Sequence, residues 1–198
     1  MQTLIINGSP RKNGGTATLI SALKELLHGN IDVIDTYHAG ISPCIDCRHC
    51  WTKPGCAIDD GMQKVYGLID HADNIVIASP IYFGELTGPL LSWASRLQYF
   101  WVSKKIRKEK VISDKLRKGG VLLVDGGEGY MEAALAMAKR LLRLMGAEYK
   151  DLVYFSGTDY TGPTLPTDYK AITDSIRRLA DKLNSDKATE LTKTHMES

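Results

Sequence analysis

The sequence predicts an α/β chain in which a doubly wound parallel sheet carries helices on both faces. Two observations predict it. Short apolar runs of strand length alternate with segments of helical period, five of each along the chain. The first run, Leu4-Ile5-Ile6, is continuously apolar and is ended by Asn7-Gly8, as expected of a strand buried on both faces.

The elements follow in order. After the first strand, Thr16 to His28 carries Leu19, Ile20, Leu23 and Leu27 at helical spacing and closes on Gly29-Asn30. Ile31 to Asp35 is the second strand. Asp60 with Gln63 three residues on forms a capping box for a helix through Ile69. Asn74 to Ala78 is the third strand, and Thr87 with Pro89 opens a helix running towards Tyr99. Gly120 to Val124 is the fourth strand. Met131 to Met145 is a helix with basic residues in its last turns and Gly146 as its stop. Glu148 to Phe155 is the fifth strand, and Ile172, Ile176, Leu179 and Leu183 mark a final helix. Crossovers between the strands are expected to be right-handed.

With 198 residues, 43% of them hydrophobic, the chain is long enough for one well-buried core, so a single domain over 1–184 is expected. The polar tail, 185–198, is expected to fray. A net charge of +2 gives no bulk case for nucleic acid. No apolar run approaches the roughly 20 residues of a membrane helix. The amino terminus lacks a basic, then apolar, leader pattern, so a cytoplasmic protein is expected. Lys104 to Lys118 holds eight basic residues against Glu109 and Asp114. Its bland reading is a solvated connection; its sharper reading is a surface for an anionic ligand or a partner subunit.

In a doubly wound sheet, ligands bind beyond the carboxyl ends of the strands. The loop after the first strand reads Gly8-Ser9-Pro10-Arg11-Lys12-Asn13-Gly14-Gly15-Thr16. Glycines let amides turn inward, Ser9 and Thr16 add hydroxyls, Arg11 and Lys12 add charge, and the next helix points its positive end at the same place. Together these make a phosphate cradle. A P-loop is excluded, because no Gly-Lys-Ser/Thr opens the helix. A dinucleotide fingerprint is excluded too, because Gly-x-Gly-x-x-Gly is missing. What remains suits a single phosphate monoester.

This loop resembles the FMN-phosphate loop of the NADPH-dependent FMN reductase branch of flavodoxin-like proteins. The resemblance continues in Ser79-Pro80-Ile81-Tyr82-Phe83-Gly84 after the third strand and in Asp125-Gly126-Gly127-Glu128 after the fourth. It implies a flavodoxin-like sheet of order 2-1-3-4-5. It also implies that Ser9, Arg11, Asn13, Thr16 and Ala17 hold the FMN phosphate. Pro80, Ile81, Tyr82, Phe83 and Gly84 would lie along the isoalloxazine, and Gly126, Gly127 and Glu128 would approach from the other side. The chemistry of the residues agrees: a flavin needs a flat slot, close backbone approach and a few fixed donors. Tyr82 and Phe83 could equally be core, and Glu128 and Tyr130 could equally start a helix.

All four cysteines fall in Cys44-x-x-Cys47-x-x-Cys50-x5-Cys56. Compact thiolates at this spacing suit an iron–sulfur cluster, and the motif resembles that of the iron–sulfur flavoproteins, a subgroup of the same family. That resemblance implies a [4Fe-4S] cluster on these four residues. A structural or redox-active thiol loop and a zinc site stay open beside it. His49 reads as solvated, and Asp59 and Asp60 as turn and cap residues.

The functional expectation is an oxidoreductase in which NAD(P)H reduces bound FMN. Reduced FMN would then serve a quinone, a nitro compound, free flavin or an electron-carrier protein. No side-chain acid, base or nucleophile is demanded. The alternatives are an electron-transfer module without direct NAD(P)H oxidation, and a non-catalytic domain binding another phosphate. Trp93, Tyr99, Phe100 and Trp101 cluster around the third helix as core or interface, and the family resemblance implies a homodimer.

Overall fold

A computed structural model of the chain describes residues 1–127, 129–161 and 170–185. Five parallel strands form one sheet in the order β2-β1-β3-β4-β5, with β1 at Gln2–Asn7, β2 at Asn30–Asp35, β3 at Asn74–Pro80, β4 at Arg117–Val124 and β5 at Ala147–Phe155. The expected strand order is the observed one.

Alternation along each strand sorts the core into two layers. Leu4, Ile6, Ile75, Ile77, Val121 and Leu123 pack on one face, under α3 (Met62–His71), α4 (Gly88–Ser95) and α6 (Glu132–Leu144). Ile5, Val76, Ala78, Leu122, Val124, Val153 and Phe155 pack on the other, under α1 (Gly15–Leu26) and α8 (Lys170–Asn184). Continuous apolar runs therefore work as strands because each neighbour along the run meets a different helical layer.

Three details differ from the expectation. The helix expected to run from Thr87 to Tyr99 is broken after α4. Arg96 and Leu97 donate to Trp93 and Ala94, three residues back, and α5 (Gln98–Val102) and a π-helical turn (Ser103–Arg107) follow. The fourth strand begins at Arg117 rather than Gly120, with Arg117 and Lys118 both buried. Arg117 is accommodated because its guanidinium meets the carbonyls of Ile69, Asp70, Ser113 and Lys115 and the Asp70 carboxylate. Ser185, expected to open the frayed tail, continues the α8 hydrogen bonds and contacts Lys118. Residues 186–198 lie outside the described residues.

The aromatic group divides. Trp93 and Phe100 are core residues, Tyr99 packs edge-on against Tyr66, and Trp101 is left partly exposed. Among the described residues two short helices remain: α2 (His49–Thr52) inside the cysteine segment and α7 (Thr158–Thr161) after β5. Among the described residues no helix is long and apolar enough to cross a membrane.

Candidate functional site

The carboxyl ends of four strands are brought level by the sheet register. Asn7 pairs with Ala78 and Pro80 with Val124. Backbone bonds then tie each loop to the next strand: Gly8 donates to Ala78 (2.7 Å), Ile81 to Val124 (2.7 Å) and Asp125 to Phe155 (2.8 Å). Strand order reverses beside β1 and β3, which is where an open α/β sheet leaves a crevice. A cleft of about 590 Å³ opens there, within the range of small-molecule sites.

The first wall is the β1–α1 loop. Asn7 accepts the Ser9 amide (3.0 Å) and Ser9 accepts the Arg11 amide (3.3 Å), so side chains fold the loop into successive turns. Ser9 and Thr16 are buried while their loop lines the cleft with Arg11, Gly14 and Gly15. Gly14 caps α1 without a side-chain hydrogen bond. Among the described residues no side chain caps the first-turn amides, and the helix dipole favours an anion there. Asn13 and Ala17, expected to hold the phosphate with these residues, do not line the cleft.

The second wall is the turn Tyr82–Glu85, closed by reciprocal bonds between Tyr82 and Glu85 (2.9 and 3.1 Å). Both central residues have positive φ, +55° at Phe83 and +79° at Gly84. Gly84 takes this region freely, whereas Phe83 holds it at a cost of roughly 1–2 kcal/mol with its ring fully exposed. Pro80, Ile81, Tyr82, Phe83 and Gly84 all line the cleft. Only Ile81 among them is buried, so Tyr82 and Phe83 are not core residues.

The third wall joins the loops after β4 and β5. Gly126 and Gly127 line the cleft; Glu128 lies outside the described residues. Asp125 organises this wall, accepting the Gly129 amide (2.6 Å) and the Tyr154 hydroxyl (3.1 Å) on its carboxylate. Its carbonyl accepts the Thr158 amide and hydroxyl (3.2 and 3.1 Å). At Gly126 a Cβ would stand 2.3 Å from Asp159 Oδ2, so a larger residue there would have to displace the Asp159 carboxylate. Sequence reasoning missed Thr158, Asp159 and Tyr160, which line the cleft, and gave Tyr130 no more than an even chance. The rule that ligands gather beyond strand ends applies to β5 as well as to β4, and would have found them.

The four cysteines gather elsewhere, beyond the carboxyl end of α4. They line one small cavity of about 20 Å³ together with Trp51, Arg96 and Tyr99. All four are free thiols; Cys47 is exposed and the others are partly buried. Burial raises the Cys50 thiol above its ordinary value, and Cys56, Cys44 and Cys47 add to the rise. The loop is stitched down from three directions. The Cys44 amide donates to Ser95 Oγ (2.9 Å), Arg107 donates to the carbonyls of Cys50 and Lys53 (2.7 and 2.8 Å), and Gln63 to those of Cys56 and Ile58 (3.0 and 2.8 Å). Gln63 therefore does not complete the expected capping box, although Asp60 still caps α3 through the Met62 amide (3.0 Å). Burial works against ionisation of Asp60, yet hydrogen bonds from Arg96, Met62 and Ser42 outweigh it and hold the carboxyl below its ordinary value.

Among the described residues no three His, Cys, Asp or Glu side chains stand as ligands to a single metal ion. A cluster sets four thiolates farther apart than one ion does, and four cysteines around one cavity are the donor set it requires. Ile45, Asp46 and Cys47 of this loop face solvent.

Comparison with known proteins supplies the lineage. The chain is 27% identical over 149 residues to an iron-sulfur flavoprotein of Archaeoglobus fulgidus, covering 74% of this chain and 64% of that relative. It is 29% identical over 112 residues to an iron-sulfur flavoprotein of Methanocaldococcus jannaschii, covering 55% and 58%. The matched region thus spans less than two thirds of the length of either relative. An NAD(P)H:quinone oxidoreductase from Methanothermobacter marburgensis superposes with a TM-score of 0.67 at 19% identity, over 94% of this chain and 97% of that one, which shows a common fold. A family model described as NADPH-dependent FMN reductase matches residues 1–162. The chain belongs to the NADPH-dependent FMN reductase family of flavodoxin-like oxidoreductases.

Proposed function

We propose that the protein is an FMN-dependent NAD(P)H oxidoreductase, with the cleft at the strand ends as its flavin site. The observation that carries this reading is the meeting, in one cleft, of a helix start capped by glycine alone with the strained Tyr82-Phe83-Gly84 turn. Ser9, Arg11, Thr16 and the first-turn amides of α1, that of Ala17 included, would hold the phosphate, with Asn13 contributing through the backbone of the loop. Tyr82, Phe83 and Gly84 would flank the ring on one side and Gly126 and Gly127 on the other, with Glu128 beyond them. When bound, FMN supplies the chemistry, taking a hydride from the nicotinamide and passing electrons to a quinone, nitro, flavin or protein acceptor. The chain's own work is to bind, orient and set the local field.

Strain at an exposed Phe83 supports this reading, since bulky residues persist at positive φ where function requires it. The open, partly aromatic rim of Tyr82, Phe83, Tyr130 and Tyr160 also suits closure by a second copy of the chain, so a homodimer is part of the reading. Rapid mixing of the FMN-loaded protein with NADPH or NADH in the absence of oxygen tests it. Fast bleaching of the flavin by free nucleotide is expected. A flavin reduced only through a separate reductase would instead make the protein an electron-transfer module.

A second reading adds a [4Fe-4S] cluster on Cys44, Cys47, Cys50 and Cys56. The convergence of all four thiols on one cavity favours it. So does the placement of α4. Thr87, just before its first turn, donates its hydroxyl to the carbonyl of Gly8 at the base of the first loop (2.8 Å), and its last residue, Ser95, accepts the Cys44 amide (2.9 Å). Between these two contacts lie the eight residues of the helix, about 12 Å.

A further inference from the structure

Arg96 closes α4 with its side chain wholly buried. Two of its three nitrogens are occupied. Nη1 donates to the Ser42 carbonyl (2.9 Å) and pairs with Asp60 (2.7 Å); Nη2 donates to the Ile58 carbonyl (3.2 Å). Among the described residues the buried Nε–H has no acceptor. An unmet buried donor is costly, the more so on a charged group, so its retention calls for a partner. Fastening residues 42, 58 and 60 to α4 uses only the two outer nitrogens and leaves Nε unexplained.

The surroundings indicate the partner. Arg96 lines the same cavity as the four thiols, and Cys56 lies within its electrostatic reach. The only other cation lining the cavity among the described residues, Arg48, is exposed and paired with Asp46 at 3.6 Å. The Tyr66 hydroxyl, also within reach of Cys56, is already committed to the Arg96 carbonyl (3.0 Å).

We infer that Arg96 is a positioning residue for the sulfur site: its Nε–H donates to a sulfur of the cluster carried by the four cysteines, and its buried charge favours the reduced cluster. This rests on the iron–sulfur reading. The step concerned is uptake of one electron by the cluster from a reductant, with no bond broken and no proton moved. Reduction adds negative charge, so a buried donor and cation beside the sulfurs raise the reduction potential.

The test is a redox titration of the anaerobically reconstituted protein with dithionite, followed by the electron paramagnetic resonance of the reduced cluster, with iron and sulfide assayed alongside. Arg96→Lys keeps the charge and a partner for Asp60 but removes the Nε–H. Its one-electron reduction equilibrium is expected to fall about tenfold, a midpoint about 59 mV more negative. Asp60→Asn removes the opposing charge, leaves the guanidinium in place, and is expected to move the midpoint the other way. A fully loaded Arg96→Lys protein with the wild-type midpoint overturns the role of Arg96 and leaves the cluster standing. A wild-type protein that incorporates no iron and sulfide overturns both. Should Arg96→Lys fail to load, Asp60→Asn decides: a raised midpoint supports the inference, and an unchanged or lowered one overturns it.

Discussion

Replacing Asp125 with alanine removes the post that holds the third wall of the cleft. The carboxylate accepts one backbone amide, from Gly129 at 2.6 Å, and one phenol, from Tyr154 at 3.1 Å. Hydrogen bonds to a charged acceptor contribute roughly 1.5–3 kcal/mol each, and a neutral one about 1. Asp125 is half-buried and Gly127 and Gly129 are exposed, so water recovers part of what is lost. The lower end, about 1.5 kcal/mol, is therefore the reasonable magnitude. That energy now orders the loop of Gly126 and Gly127. In Asp125→Ala it must be repaid by the ligand, so the Kd for FMN rises about tenfold. The melting temperature of the ligand-free protein should fall by only a few degrees, because about 1.5 kcal/mol is small for a chain of this length and the loop itself lies outside both core layers. Titration by flavin fluorescence quenching measures the first quantity and thermal unfolding the second. Tyr154→Phe, which spares the amide bond, should weaken binding by only a few-fold. An Asp125→Ala protein that binds FMN within twofold of wild type would refute the reasoning, since the wall would then not bear on the flavin.

Three further outcomes are expected. Thr16→Val, nearly isosteric at a buried position, should weaken FMN binding about tenfold while leaving riboflavin binding unchanged, as isothermal titration of both ligands would show. Arg117→Ala strands the carbonyls of Ile69, Asp70, Ser113 and Lys115, and should cost about 3 kcal/mol in urea unfolding. The third concerns acid. Burial disfavours ionised Asp151, but hydrogen bonds from Lys182, Arg178 and the Leu152 amide outweigh it and hold its carboxyl below the ordinary value. A lowered folded value means stabilisation that is complete above the unfolded value, about 3.9, and is lost as pH falls below it through the folded one. Asp151→Asn should therefore show a smaller loss of stability than wild type as the pH falls below about 4, measured by denaturant midpoints along the pH series.

The sheet was legible because its pattern is local. Leu4, Ile5 and Ile6 alternate between two layers, and nothing beyond their own neighbours is needed to mark them as a strand. The first and third loops were legible for the same reason, as glycines and hydroxyls sit within a few residues of a strand end. Arg117 and Lys118 were not, because a charge reads as solvated until its acceptors are known. Those acceptors lie at Ile69, Asp70 and Leu183, far along the chain. Arg96 escaped notice likewise, since its partners at 42, 58 and 60 are brought to it only by the fold. The four-residue helix α7 carries no period to detect, yet it supplies a wall of the cleft. For the cysteines, spacing told that they are close in sequence; only the fold shows one cavity shared by all four.

The central claim is that the cleft holds FMN with its phosphate on the start of α1. The most direct measurement compares FMN with riboflavin, two ligands differing only in that phosphate, in equilibrium binding to the same protein. The account predicts that FMN binds at least a hundredfold more tightly, about 2.7 kcal/mol, and that Arg11→Ala and Thr16→Val each narrow the gap. Equal affinities, or binding of neither flavin, would contradict it.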